Sequence, residues 1–163
     1  MLTESQVEEL NALFAVELAM AHTSKKSPGK WGCILTEVVV GDYVVIPLTS
    51  AKMLKSESYW MQNCCQEYAS LCAKLEYCIF SIRTRFGKRF ATLGLRMTGG
   101  YWYFEQCFGQ RNTEVLESKW EYTDEEGFIQ SECVTADIYY VAHEVVRLMN
   151  INMQETVQDK RIN

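Results

Sequence analysis

The sequence predicts an α+β domain: an N-terminal helix, a β-hairpin, a central helix, a three-strand antiparallel meander and a C-terminal helix packed on the sheet. Three β-rich runs, 77–83, 89–96 and 101–108, are separated only by Phe86-Gly87-Lys88 and by Gly99-Gly100, so consecutive strands must turn back on one another. On both sides of these runs the apolar residues recur at helical rather than alternating spacing. With 163 residues, 48% of them hydrophobic, the chain has material for one core and little for a second.

Taken in order, Thr3-Glu4-Ser5-Gln6 has the form of a capping box, and Val7, Leu10, Phe14, Leu18 and Ala21 follow on one helical face, predicting a helix over 4–21. The polar run 22–30, with Pro28-Gly29, ends it. Residues 32–40 and 43–46 flank Gly41-Asp42 and predict a hairpin. Beyond Pro47, Thr49 or Ser50 can cap a helix running to about 58. A second helix is expected to carry Met61, Cys64, Cys65, Tyr68, Leu71, Cys72 and Leu75 on one face. Residues 113–127 lack clear periodicity and predict a long loop or a partly ordered excursion. A last helix is expected from Ser131 or Glu132 to about Met149, with Ile138, Val141, Ala142, Val145, Leu148 and Met149 as its apolar stripe. One domain thus spans 1–150, and the polar residues 151–163 predict a fraying tail.

Composition excludes several classes. Gly and Pro are scarce and nothing repeats, which removes fibrous and disordered chains. No apolar run approaches the roughly 18 residues of a membrane span, and the opening MLTESQVEEL has no basic segment, so a cytoplasmic protein without membrane contact is expected. The seven cysteines form no regular disulfide framework and predict reduced thiols. The net charge of −5 is unevenly spread: residues 77–104 hold five cations and no acid, whereas 113–137 hold eight acids and one lysine. The molecule should have a basic end and an acidic end.

Twelve residues within 48–112, in order, form recognisable blocks: Met61, Cys64 and Tyr68; Ile79, Ser81 and Arg83; Thr92, Leu93 and Leu95; Gln106, Gly109 and Asn112. This pattern resembles the PcfJ-like domain family, found in proteins of bacterial plasmids, phages and other mobile elements, with its aliphatic-x-x-H-C block, I-x-S-x-R and T-L-E-L strands and Q-x-x-G-x-x-N ending. The chain departs from it at Asn63, where the family has histidine, and at Gly94, where it has glutamate. Those are the two groups best able to move protons. The resemblance therefore implies a mobile-element setting rather than a reaction.

Cys64 is a candidate nucleophile, because a thiol at a helix N-terminus can be activated, yet neither His22 nor His143 lies in a motif that points to it. The alternative is a structural cysteine. A zinc site built from Cys64, Cys65, Cys72 and Cys78 lacks the paired ligands on tight turns that zinc requires, so no metal and no cofactor are expected. Ser81, Arg83, Gln106 and Asn112 form a candidate polar cleft. Strand alternation puts Tyr77, Ile79, Ser81 and Arg83 on one face and Cys78, Phe80 and Ile82 on the other. Against the cleft stands a plain structural role, in which Gln106 and Asn112 satisfy backbone groups and Arg83 pairs with an acid.

Arg83, Arg85, Lys88, Arg89 and Arg96 could contact phosphate, with Phe86, Tyr101, Trp102 and Tyr103 as stacking partners for unpaired bases. The acids Asp124, Glu125 and Glu126 could instead occupy a partner's basic surface. The first expectation is a non-enzymatic interaction protein of a mobile genetic element that binds a host or element-encoded protein complex. Inhibition of a host defence system such as CRISPR would be a specialised form of it. The alternative is a nucleic-acid-binding accessory protein using the basic meander, and the third is a cysteine-centred enzyme. A homodimer is compatible with each.

Overall fold

The computed structural model describes residues 3–6 and 29–162. The capping box is formed: the Thr3 N–H donates to Gln6 Oε1 at 2.9 Å and the Gln6 N–H to Thr3 Oγ1 at 3.2 Å. Most of the helix expected over 4–21, and His22 beyond it, lie outside the described residues.

Strands β1 (Val38–Val40), β2 (Tyr43–Pro47), β3 (Tyr77–Thr84), β4 (Arg89–Thr98) and β5 (Tyr101–Phe108) form one antiparallel sheet in chain order. The three strands of the meander therefore stand where the β-rich runs place them. Val40 pairs with Tyr43 across Gly41-Asp42, making the expected hairpin, although only the end of 32–40 is extended into strand. The hairpin then joins the meander, Val45 opposite Ile82 and Pro47 opposite Phe80. Proline ends the ladder because it has no N–H to continue it.

The connection between β2 and β3 folds over one face of the sheet. Helix α1 (Ala51–Met61) is capped by Ser50, whose hydroxyl accepts from the Met53 N–H at 3.1 Å. It ends at Gln62, which turns left-handed with φ 52°. This divides the cysteine-bearing helix expected over 61–75 into a 3₁₀ turn, Cys65–Tyr68, and a short helix α2, Ala69–Ala73. The apolar spacing was real; the left-handed break after Met61 was not visible in it.

Helix α3 (Asp137–Ile162) covers the opposite face. Its stripe Ile138, Val141, Ala142, Val145 and Met149 is buried against Phe80, Ile82, Leu93 and Leu95. The other core, beneath α1 and α2, holds Leu48, Leu54, Cys72, Tyr77 and Ile79. Alternation along β3 thus feeds two cores, one per face. Polar residues anchor α3 as well: Asn150 Nδ2 donates to the Trp102 carbonyl at 3.0 Å and its Oδ1 accepts from the Trp102 N–H at 2.7 Å. That clamp satisfies the outer edge of β5, and the helix continues through 151–162 where composition suggested fraying.

Two corrections concern the acidic segment. Residues expected to form a loop and the start of the last helix instead make a second hairpin, β6 (Glu117–Thr123) paired with β7 (Ile129–Thr135). Helix α3 accordingly begins at Asp137, just before the first residue of its stripe, not at Ser131 or Glu132. Ile129, Val134 and Thr135 are β-branched and suit a strand better than a helical first turn.

Candidate functional site

The face of the sheet beneath α1 carries two adjoining polar features. The first is a buried cluster around Glu57, whose side chain is fully enclosed. Ser81 Oγ donates to Glu57 Oε1 at 3.0 Å and Arg89 Nε to the same oxygen at 2.8 Å. Arg83 Nε donates to Ser81 Oγ at 3.0 Å. Arg83 and Arg89 face each other directly across β3 and β4, an arrangement of like charges that needs the carboxylate between them. Burial pushes the Glu57 carboxyl up, against the pull of Ser81, Arg89 and Arg83, while burial and Arg89 push Arg83 down.

The second feature begins one rung away, where Thr92 stands opposite Ser81. It is a cavity of about 120 Å³ between the 62–68 turn, β4, β5 and the 3₁₀ turn at Gln110–Asn112. Asn63, Thr92, Gln106 and Asn112 supply its polar wall, Tyr68 and Phe108 its aromatic one, and Cys64 lies at the rim. Asn63 is fixed: its amide donates to Thr92 Oγ1 at 3.1 Å and its Oδ1 accepts from the Cys65 N–H at 3.1 Å.

Both departures from the resemblance, Asn63 and Gly94, line this cavity. Gly94 has no room for a side chain. A Cβ there would stand 2.2 Å from the hydroxyl of Tyr77, which is buried beneath it. That hydroxyl accepts from Gln106 Nε2 at 3.4 Å, and the Tyr77 ring is stacked on Tyr68 with centroids 4.7 Å apart. Burial drives the Tyr77 hydroxyl far above the ordinary tyrosine range. Tyr77 thus fills the volume that a glutamate at position 94 would need, and nothing in the sequence links the two positions until the β3–β4 register is known.

Gly109 has a related constraint, since a Cβ there would lie 2.7 Å from Thr113 Oγ1 and 2.8 Å from Val115 Cγ1. The chain beyond it is strained, with Arg111 and Asn112 both left-handed at φ 57°. Arg111 Nε donates to Gln62 Oε1, which ties together two left-handed residues that precede Asn112 and Asn63 of the cavity lining.

The candidate cleft of Ser81, Arg83, Gln106 and Asn112 therefore divides. Ser81 and Arg83 join the Glu57 cluster, and Gln106 and Asn112 join the cavity. Glu57 was missed because a lone glutamate on an amphipathic helix looks like a solvent-facing charge.

The basic meander is dispersed. Arg89 is engaged by Glu57, and Arg96 by Glu105 at 2.7 Å, beside the Tyr77 ring. Arg85 donates to the Gly41 carbonyl at 3.0 Å from an exposed position, and Lys88 is exposed in the same turn. Trp102 is 5% exposed under α3 and cannot stack on a base, a correction that follows from its parity on β5. Phe86, Tyr101 and Tyr103 are exposed.

The thiols show little sign of chemistry. Cys65 is pushed up to about 11, and Cys72 and Cys107 to about 12, each chiefly by burial. Cys33 and Cys78 touch at 3.3 Å. Cys64 is exposed, but among the described residues no histidine or carboxylate lines the cavity with it, and His143, on α3, stacks on Phe104 of β5. No group of three His, Cys, Asp or Glu among the described residues could hold a metal ion.

The acidic candidates sit at the tip of the β6–β7 hairpin. Asp124 builds the turn: Oδ1 accepts from the Glu126 and Phe128 N–H groups at 3.0 and 2.8 Å, and Oδ2 from Gln130 Nε2 at 3.0 Å. These bonds, Gln130 first, hold its carboxyl below the usual range. Glu125 and Glu126 are exposed beside it. The hairpin has thirteen of its fourteen strand residues exposed, so it projects rather than packs. Trp120 and Tyr122 stack at 5.0 Å, and Trp120, Phe128, Ile129 and Val134 all stand in solvent. No family model, curated protein or solved structure matches the chain.

Proposed function

We propose that this chain is a non-enzymatic interaction protein, working in a mobile-element setting, that docks a protein partner through the β6–β7 hairpin. The observation that carries the reading is the exposure of a two-stranded hairpin bearing Trp120, Phe128, Ile129 and Val134 with no layer among the described residues against it. An isolated two-stranded ribbon is marginal in water, and exposed apolar groups with free strand edges favour association. Trp120 stands opposite Glu132 on the ribbon, and Glu125 and Glu126 are exposed at its tip beside Phe128, which suits a partner with an apolar pocket and a basic rim. The mobile-element setting rests on the sequence resemblance alone. Inhibition of a host defence complex is one form such docking could take.

The test is a pull-down with tagged protein from its natural host after nuclease treatment, run beside a Trp120→Ser/Phe128→Ser double variant. A stoichiometric protein captured by the wild type and lost by the variant supports docking through the hairpin. Equal capture by both, or capture that vanishes with nuclease, contradicts it.

A further inference from the structure

The cavity at Asn63 and Gln106 and the hollow beside it have complementary chemistry. The cavity holds about 120 Å³ and no charged side chain lines it. A dry cavity of roughly 150 Å³ accommodates a benzene ring, so this one is scaled to a single ring. Its polar groups are the amides of Asn63, Gln106 and Asn112 and the hydroxyl of Thr92, set against the rings of Tyr68 and Phe108. Amides both donate and accept, which suits a heterocycle edge that alternates donors with acceptors, and aromatic walls suit its face. Asn63 is committed to Thr92 and Cys65, whereas Gln106 donates to Tyr77 at a long 3.4 Å and also engages the Tyr68 hydroxyl.

A second, wider hollow of about 320 Å³ is lined by Trp60, Met61, Gly87, Lys88, Arg89 and Gln110, of which Met61 and Gln110 neighbour Asn63 and Asn112 of the cavity in the chain. It is cationic, and Trp60 is exposed on it. The segments that carry the two linings are linked by the Arg111 to Gln62 bond and by Gln110 Nε2 donating to the Trp60 carbonyl at 3.3 Å. The left-handed residues Gln62, Arg111 and Asn112 gather at this junction. Strained backbone held in place by its surroundings is typical of ligand clamps.

We propose that cavity and hollow together bind a nucleotide, the base entering the cavity against Gln106 and Asn112 and the phosphate lying in the hollow near Lys88. The uncharged cavity selects a neutral ring, and the cationic hollow selects the charge attached to it. This site is independent of the hairpin and takes from the basic meander only its β3–β4 turn, with Lys88 and Arg89, the other cations of the meander lying outside it. The nucleotide can be free or part of an unpaired strand, because both present the same base and phosphate.

The test measures binding of the four ribonucleoside monophosphates by titration calorimetry and of short labelled single-stranded homopolymers by fluorescence anisotropy, with a duplex as competitor. Asn112→Gly removes the amide while keeping the left-handed backbone, and Gln106→Leu removes the other amide; a thermal melt confirms that each is folded. Binding of a monophosphate or a homopolymer that weakens about tenfold or more in either variant supports the site. Stronger binding of homopolymer identifies a strand as the source, and equal binding a free nucleotide. Lys88→Glu should weaken the monophosphate and leave the matching nucleoside unchanged. No binding of any probe below about 1 mM, equal affinity for duplex, or affinity unaltered in both amide variants overturns the proposal.

Discussion

Gly94 and Glu57 show how single residues define the sheet face beneath α1. Gly94 is required by a close approach, because Tyr77 Oη occupies the place of its Cβ. Gly94→Ala should therefore destabilise the fold by about 2 kcal/mol through overpacking, as read by urea unfolding. In a Tyr77→Leu background the same substitution should cost under about 0.5 kcal/mol, since the clashing ring end is gone. Equal costs in both backgrounds would mean that Tyr77 is not the obstacle. Glu57 carries a pH signature. Its folded value is raised above 4.5 by burial, so the stability it contributes is present below 4.5 and is lost as pH rises through the folded value. Glu57→Gln should accordingly gain on the wild type in melts run upward from pH 4.5; a constant difference across that range would contradict it. Neither residue was legible in the sequence. Gly94 stood out only as a departure from a family pattern, and Glu57 did not stand out, because burial and partner depend on strand register.

At the scale of elements, legibility followed periodicity. The meander was readable because alternation and paired turn residues agree, and the α3 stripe because five of its six apolar positions fall in the core. The β6–β7 hairpin was not readable, because neither of its faces is buried and an exposed ribbon shows no apolar alternation. Its acids dominated the reading of that segment. One of them has a structural duty that can be measured. The Asp124 carboxyl is held below its unfolded value of 3.8 by the bonds it accepts, so the order it gives the turn is present above 3.8 and lost as pH falls through the lowered value. The Phe128 and Glu126 amide resonances should shift together in that acid range, and Asp124→Ala should remove the transition. Amides that titrate in the alanine variant as in the wild type would separate the turn from this carboxylate.

For the molecule as a whole, a five-stranded sheet covered by helices on both faces forms the body, and a ribbon at the base of α3 projects from it. Both faces of the body's sheet are covered by helices, whereas neither face of the ribbon is covered by a described element, and the ribbon leaves Trp120, Phe128, Ile129 and Val134 in water. That contrast is the ground for assigning docking to the ribbon, and it has a dynamic consequence. Amides in a ribbon that no described element covers open locally at low cost, while those of β3 and β4, sandwiched between two cores, open only with global unfolding. Hydrogen exchange of the protein alone and with its captured partner tests the assignment most directly. The account predicts fast exchange across 117–135 in the free protein and strong protection of that segment in the complex, with β3 and β4 slow in both. A ribbon already protected when free, or one whose exchange the partner leaves unchanged, would contradict it.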